Sequence, residues 1–405
     1  MKNITKHLTA LAFVAGVGSL SAQTPPAASQ NDQSDQDEVV RLSPFNVSAG
    51  ADIGRYTSLE STSAGRVRVS IMNSSQNVSV ITSEMLSDVA AGRILDATKY
   101  IAGISESTLP NAQDRTNVRG FQADGRTVDG FTYGGFMSMD PAIIDRIEVV
   151  KGPNSILAPQ PTSPGGTVNN ATKKPQFRDF GMINAQFGEF DANSGFLDIN
   201  RQLNDTFAIR GVASFRDWDN WWRDSSIRST TLMPGLTWRI SDTTELTVQY
   251  IYTEWRSSLY LGLPVDPSSG TKTKAHILAG VPKDLSVYAD DIFRTDQQHD
   301  WKVLFTTKLW KGIDMRFSAL YHKTSQYAPQ LNTGNSTGGV GGNRDPLTGF
   351  HEPGMQYLQT PPYTGSPIAT QPTRVFVRSG TDPRADPRQL FLQNDFAYFF
   401  ENESL

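Results

Sequence analysis

From residue 181 onward the chain alternates its side chains with a period of two, and that alternation limits the folds open to it. In "TFAIRGVASF", Phe207, Ile209, Gly211, Ala213 and Phe215 alternate with Ala208, Arg210, Val212 and Ser214. In "LTVQYIYTEW", Leu246, Val248, Tyr250 and Tyr252 alternate with Thr247, Gln249, Ile251 and Thr253. Met315, Phe317, Ala319 and Tyr321 do the same against Arg316, Ser318, Leu320 and His322. Successive residues of a strand point to opposite faces, so each segment has one apolar and one mostly polar face. The pattern predicts about eight strands, near 181–190, 194–201, 205–217, 229–241, 244–256, 299–310, 313–326 and 389–400.

The connections separate a soluble sandwich from a membrane barrel. "RQLND", "SDTT" and "KGID" are tight, whereas residues 257–298 and 327–388 are very long. Structureless loops of that length are unusual in compact soluble domains. Short turns alternating with long loops are the organisation of outer-membrane barrels, whose strands tilt through the bilayer. On this reading the sharp reversal at 191–193 lies on the outer side, although it is brief. Trp218, Trp221, Trp222, Trp255 and Trp310 stand at strand ends and read as interfacial girdles.

The N-terminus supplies the matching address. Lys2 and Lys6 precede an apolar run from Leu8 to Leu20, too short to span a bilayer and suited to an export signal ending near Ala22, residues 1–22. Residues 23–38, "QTPPAASQNDQSDQDE", are polar and Pro-bearing and read as a disordered linker. Residues 39–49, "VVRLSPFNVSA", restore hydrophobicity, and Pro44 biases Ser43 toward extended backbone. Such a segment suits pairing with the edge of a partner's sheet.

Residues 60–175 read as mixed α/β. Ser83 is a candidate helix cap before Glu84. Ile94, Ala97, Thr98 and Ile101 share a helical face, with Gly103 as a stop. In "DPAIIDRIEVVKGPNSIL", Asp140 caps, Pro141 opens a short helix, and a strand follows at about Arg146 to Val150. Gly152-Pro153 then turns the chain, and Asn154 or Ser155 can cap again.

Composition excludes several classes. With no cysteine, thiolate chemistry, zinc ribbons and disulfide scaffolds are absent. A net charge of −4 gives a nucleic-acid partner no electrostatic support. The five histidines show no metal spacing, no nucleophile elbow or zincin motif is present, and "GGVGGN" lacks the strand and helix of a phosphate loop. The expectation is a non-enzyme with no cofactor.

The order of four segments resembles the TonB-dependent outer-membrane receptors. "NVRGF" carries Arg119 and Gly120, and "VDGF" carries Asp129 and Gly130. "IDRIEVVKGPNSIL" holds Arg146, Glu148, Lys151, Gly152 and Pro153, and "PGGTVNNATKKP" holds Gly165, Gly166 and Asn169. The departure is Asn170, where the family usually has an apolar residue. The resemblance implies a mixed α/β plug domain over 60–175, followed by antiparallel transmembrane strands over 180–405. These would be about eight strands of an expected 22, because plugged barrels use roughly that number. By the same resemblance the chain is C-terminally truncated and alone neither closes nor transports.

The resemblance also implies roles. Ile147 and Val149 should face the plug core, while Arg146, Glu148 and Lys151 face a wetted barrel wall. Residues 39–49 take the place of the TonB box, with Phe45, Asn46, Val47, Ser48 and Ala49 as the core that binds the periplasmic energy-coupling protein. Arg119 should hold plug to barrel through carboxylates. Asn111, Gln113, Tyr133 and Phe136 are candidate ligand contacts at the plug apex. The implied activity is energised uptake of a ferric siderophore or similar scarce ligand through the outer-membrane lipid. Cobalamin or glycan uptake, or a non-transporting adhesin or structural β-barrel, are the alternatives.

Overall fold

The computed structural model describes residues 52–53, 56–63, 67, 69–106, 116–123, 126–133, 139–152, 163–189, 191–219, 225–258, 280–285, 293–327, 330–331, 377–378 and 388–398. All of them belong to one compact unit, Leu42–Leu405. The expectations for residues 1–49, Asn111, Gln113, Phe136, Pro153, Asn154, Ser155, Trp221 and Trp222 fall outside the described residues.

The N-terminal body is mixed α/β, as its sequence predicts. It contains β1 (Asn77–Thr82), α1 (Ser83–Asp88), α2 (Ile94–Thr98), β2 (Ile104–Glu106), β3 (Thr116–Val118) and β4 (Phe121–Ala123). β5 (Arg126–Val128), β6 (Phe131–Tyr133), β7 (Ile144–Lys151) and β8 (Gly166–Thr172) follow, and two short ladders, Asp52–Ile53 with Thr57–Ser58 and Glu60–Ser61 with Val69–Ser70, precede them all. One sheet runs β6–β5–β8–β7–β1, antiparallel except for β5 against β8, and a second runs β2–β3–β4. α1 is capped by Thr82, whose hydroxyl accepts from Met85 N, one residue before the expected Ser83. Asp140 caps as expected, accepting from Ala142 N, and Pro141 opens a single 3-10 turn. α2 stops at Thr98, earlier than expected, and Gly103 instead takes φ +81° in the turn before β2. Ile94, Ala97, Thr98 and Ile101 are all buried, as their shared face requires.

Eight long strands follow, at the expected places. They are β9 (Phe180–Phe187), β10 (Asn193–Gln202), β11 (Phe207–Asp219), β12 (Ser226–Ser241), β13 (Thr244–Ser258), β14 (Phe293–Lys308), β15 (Ile313–Tyr327) and β16 (Arg388–Tyr398). They form one antiparallel sheet in sequential order.

This sheet is inverted relative to a water-soluble one. The exposed face carries a continuous apolar row, Ile209–Leu236–Val248–Val303–Ala319–Leu392, in register across six strands. A parallel row reads Phe207–Trp238–Leu246–Phe305–Phe317. Leu392 and Phe396 are each 63% exposed. The opposite face is buried and polar: β14 alone turns Arg294, Asp296, Gln298, Asp300 and Lys302 inward. Here Asp300 Oδ1 lies 2.6 Å from His322 Nδ1.

The inward face packs on the α/β body. Val212, Met233, Ile251 and Leu320 of the sheet join Ile81, Leu86, Ile143, Ile147 and Val149 in one apolar cluster. Phe131 of β6 meets Phe391 of β16, ring centroids 6.0 Å apart. Burying each such large apolar side chain is worth roughly 1.5–3 kcal/mol.

Two aromatic expectations fail here. Trp218 and Trp255 share the inward phase with Arg216 and Ile251, so they line the junction with the α/β body and not an outer girdle. Trp218 seats directly on Gly92: a Cβ at Gly92 would lie 1.7 Å from the indole. Trp310 is exposed in the turn between β14 and β15.

Candidate functional site

The four family-like segments build a seam between the α/β body and the inward face of the sheet. "NVRGF" and "VDGF" are hairpin turns. Arg119 and Gly120 join β3 to β4 with φ of +52° and +82°, and Asp129 and Gly130 join β5 to β6 with +49° and +85°. Positive φ at both central residues marks the type I′ turn, whose twist matches that of the flanking strands.

The second turn is stapled to β8. Thr172 N and Oγ1 donate to the two Asp129 oxygens at 2.9 and 2.7 Å, and Gly130 N donates to Asn169 Oδ1 at 3.1 Å. Asn169 Nδ2 reaches on to Ser63 Oγ at 2.9 Å. Asn170, the residue that departs from the family pattern, is buried in the parallel β5–β8 contact, its Nδ2 donating to Thr127 O at 3.3 Å. Gly165 and Gly166 allow β8 to begin close to its neighbours. A Cβ at Gly165 would stand 1.8 Å from Val118 O, and one at Gly166 2.2 Å from Val150 O. Gly152, at φ +110°, closes the loop by donating N–H to Gly165 O at 2.8 Å.

β7 divides its side chains as expected for Ile147 and Val149, which are fully buried in the core. Glu148 departs from the expectation of a wall-facing charge. It is completely buried, and its carboxylate accepts from Ser61 Oγ at 2.7 Å, Ser63 N at 2.8 Å and Thr62 N at 3.2 Å. Its partners are the entering N-terminal segment, not the sheet of long strands. Arg146 meets Asp145 at 3.1 Å and Ser58 at 3.5 Å. Lys151 is half-buried near Arg119; burial and that neighbouring positive charge hold its ammonium below the usual lysine range. No ion pair joins Arg119 to a carboxylate among the described residues. Its N–H donates to Gly103 O at 2.7 Å, and its guanidinium lies near Gly152.

The ionic contacts across the seam come from other residues. Lys302 of β14 pairs with Asp129 and donates to Thr172. Burial pushes the Asp129 carboxyl up, but Lys302, Lys174 and the Thr172 hydrogen bond outweigh it, and its pKa falls below the ordinary value. Burial also pulls the Lys174 ammonium down. Lys173 pairs with Asp198 at 2.9 Å, and Arg210 grips the same carboxylate with bonds of 2.8 and 2.7 Å. Arg210 donates to Lys174 O at 3.0 Å and Gln249 to Lys173 O at 2.6 Å. Asn200 donates to Gln176 O and accepts from Gln176 N. The segment after β8 is thereby clamped along three strands of the wall. Bidentate, charge-assisted pairs of this kind are the stronger hydrogen bonds.

Sequence reading gave Asp140 only as a cap, without its contacts to Ser214 and Arg216, and missed Asp198, Arg210, Arg216 and Lys302 as seam residues. The available signal was charge in the inward phase of amphipathic strands, where a solvated face is the ordinary explanation. Tyr133 ends β6 opposite Arg126.

Residues 70–167 match the TonB-dependent Receptor Plug Domain. The chain carries the plug of a TonB-dependent receptor. The plug and its strands resemble solved receptors in fold: against the pyoverdine outer membrane receptor FpvA of Pseudomonas aeruginosa PAO1, bound to pyoverdine, the TM-score is 0.66 at 20% identity, covering 74% of this chain and 44% of that one. In sequence the chain is 29% identical over 230 residues to the ferric-pyoverdine BN7/BN8 receptor of Pseudomonas putida, covering 54% of this chain and 28% of that protein. It is 30% identical over 251 residues to the metal-pseudopaline receptor CntO of Pseudomonas aeruginosa UCBPP-PA14, covering 59% and 34%. The plug-bearing chain thus spans about a third of the curated relatives it matches.

Proposed function

We propose that this chain belongs to an outer-membrane receptor that imports a ferric siderophore, driven by a periplasmic TonB protein. The observation that carries the reading is a plug held by buried ion pairs against the polar face of a sheet whose other face is apolar and exposed. On β13 the outward apolar run lies between Thr244 and Glu254, ten residues apart. That is about 33 Å along a strand and, at a tilt near 40°, roughly 25 Å across, the height of an outer-membrane apolar band. The outward row Tyr252–His299–Lys323–Arg388 marks its polar margin. The similarity to receptors for ferric pyoverdine and metal-pseudopaline favours a metal-chelate cargo over cobalamin, glycans or adhesion.

In this reading residues 1–22 export the chain, 23–38 form a linker, and Phe45, Asn46, Val47, Ser48 and Ala49 pair with the TonB protein. Asn111, Gln113, Tyr133 and Phe136 contribute to ligand capture. Ligand that binds one plug state better than the other shifts the balance toward a released box. No step changes the ligand chemically. The test is accumulation of a radiolabelled ferric siderophore by cells carrying the receptor. Val47→Pro removes a backbone donor needed for strand addition. Energised accumulation should vanish while binding to cells persists. Binding without energy-dependent accumulation in the unmodified receptor would make it an adhesin.

A further inference from the structure

Arg216, on the inward face of β11, is 6% exposed. A guanidinium carries five N–H donors and stays charged at any working pH. Its carboxylate neighbour is Asp140, yet Asp140 Oδ1 stays 3.6 Å from Nη2, beyond hydrogen-bond reach. Asp140 is engaged elsewhere: Ala142 N donates to Oδ1 at 2.9 Å, and Ser214 Oγ donates to Oδ2. Among the described residues, Arg216 Nε and Nη1 have no acceptor. Directly opposite in the β11–β12 pairing, the buried Oγ of Ser229 likewise has no partner among the described residues.

Two indoles flank the guanidinium, with ring centroids 4.8 Å away for Trp218 and 5.9 Å for Trp255. Asp296, further along the same row, is held by Arg294 and Gln326. Buried polar groups are almost always paired, and each exception calls for a reason. A buried cation with idle donors, a hydroxyl across from it and aromatic walls is complementary to an oxyanion. Arginine suits such groups by its planar donors, and exclusion of water strengthens the contact.

We propose that Arg216 and Ser229 form an oxyanion subsite on the inner wall, taking a carboxylate or phosphate group. An arriving oxyanion competes with Asp140 for the guanidinium, so its binding loosens the plug at that point. That an imported ligand supplies the oxyanion rests on the uptake reading; the subsite itself does not.

The test is titration of the purified full chain with acetate, standing for a ligand carboxylate, and with inorganic phosphate, standing for a free anion, followed by tryptophan fluorescence. Saturable binding is expected, and the tighter anion identifies the source. Arg216→Gln should weaken it about tenfold or more, and Ser229→Ala by roughly fivefold, as expected for losing hydrogen bonds to a charged group. Asp140→Asn should tighten it, a change that misfolding does not produce. Absence of saturable binding to either anion, or unchanged affinity in Arg216→Gln, would overturn the subsite. So would unchanged affinity in both milder variants. Failed siderophore uptake with anion binding intact sinks only the uptake reading.

Discussion

Ser61 Oγ donates to Glu148 Oε2 at 2.7 Å across a sequence separation of 87 residues, and so fastens the chain's entering segment to the strand next to the centre of the plug sheet. The neighbouring amides of Thr62 and Ser63 converge on the same carboxylate. Glu148→Gln replaces one acceptor oxygen by an NH2 aimed at donors. Leaving buried donors unsatisfied costs about 1–3 kcal/mol, more where a charge was involved. Hydrogen exchange at the Thr62 and Ser63 amides should accelerate by at least tenfold. Unchanged protection would show that the clamp carries no energy.

Asp129 and Lys302 pair across the contact between plug and wall, and acid should weaken that pair. The folded Asp129 pKa lies below its unfolded value of 3.8. Its stabilisation is therefore fully present above the unfolded value and is lost as pH falls from there through the folded one. Thermal unfolding followed between pH 6 and pH 2 should show that loss, and Asp129→Asn should remove its share. A double-mutant cycle with Lys302→Met should give a coupling of about 1–3 kcal/mol. Additive single effects would refute the coupling.

Gly92 and Trp218 fit as a flat backbone under an indole. Gly92→Ala drives a methyl into the ring and should cost about 1–3 kcal/mol through overpacking. Trp218→Ala opens the space, so the double variant should be closer in stability to Trp218→Ala than the sum of the single effects predicts. Chemical denaturation of all three variants tests this, and a strictly additive double variant would contradict the contact.

Leu392 lies in the exposed apolar row, while Lys323 lies in the polar margin. If hydrocarbon covers that row, Leu392→Arg should cost about 2–4 kcal/mol of folding in lipid vesicles. Lys323→Gln should cost under about 1 kcal/mol, as expected near an interface. Equal effects at the two positions would count against a membrane-facing band.

The strands were legible because alternation survives without any knowledge of partners. The same alternation held the answer for Trp255. Once Tyr250 and Tyr252 were assigned to one face, Trp255 belonged to the other, with Ile251 and Thr253. Its position near a strand end argued for a girdle, and phase decided otherwise. Thr82 displaced Ser83 as the cap because either hydroxyl can serve, and only the fold decides which reaches Met85 N. Glu148 was unreadable locally. A charged residue in a strand is ordinarily solvated, and its three donors lie more than eighty residues upstream. The pairing of Lys173 and Arg210 with Asp198 depended on strand register, which the sequence pattern did not specify.

The plug's seat mixes hydroxyls, amides and charges with apolar contacts from Val212, Met233, Ile251, Leu320, Phe391 and the indoles of Trp218 and Trp255. The polar part of such a seam can be rewetted, because each protein partner given up there has a solvent substitute. Under load, water can take over the polar grips one at a time, so it is the shared apolar patch that sets the force at which the body leaves the sheet.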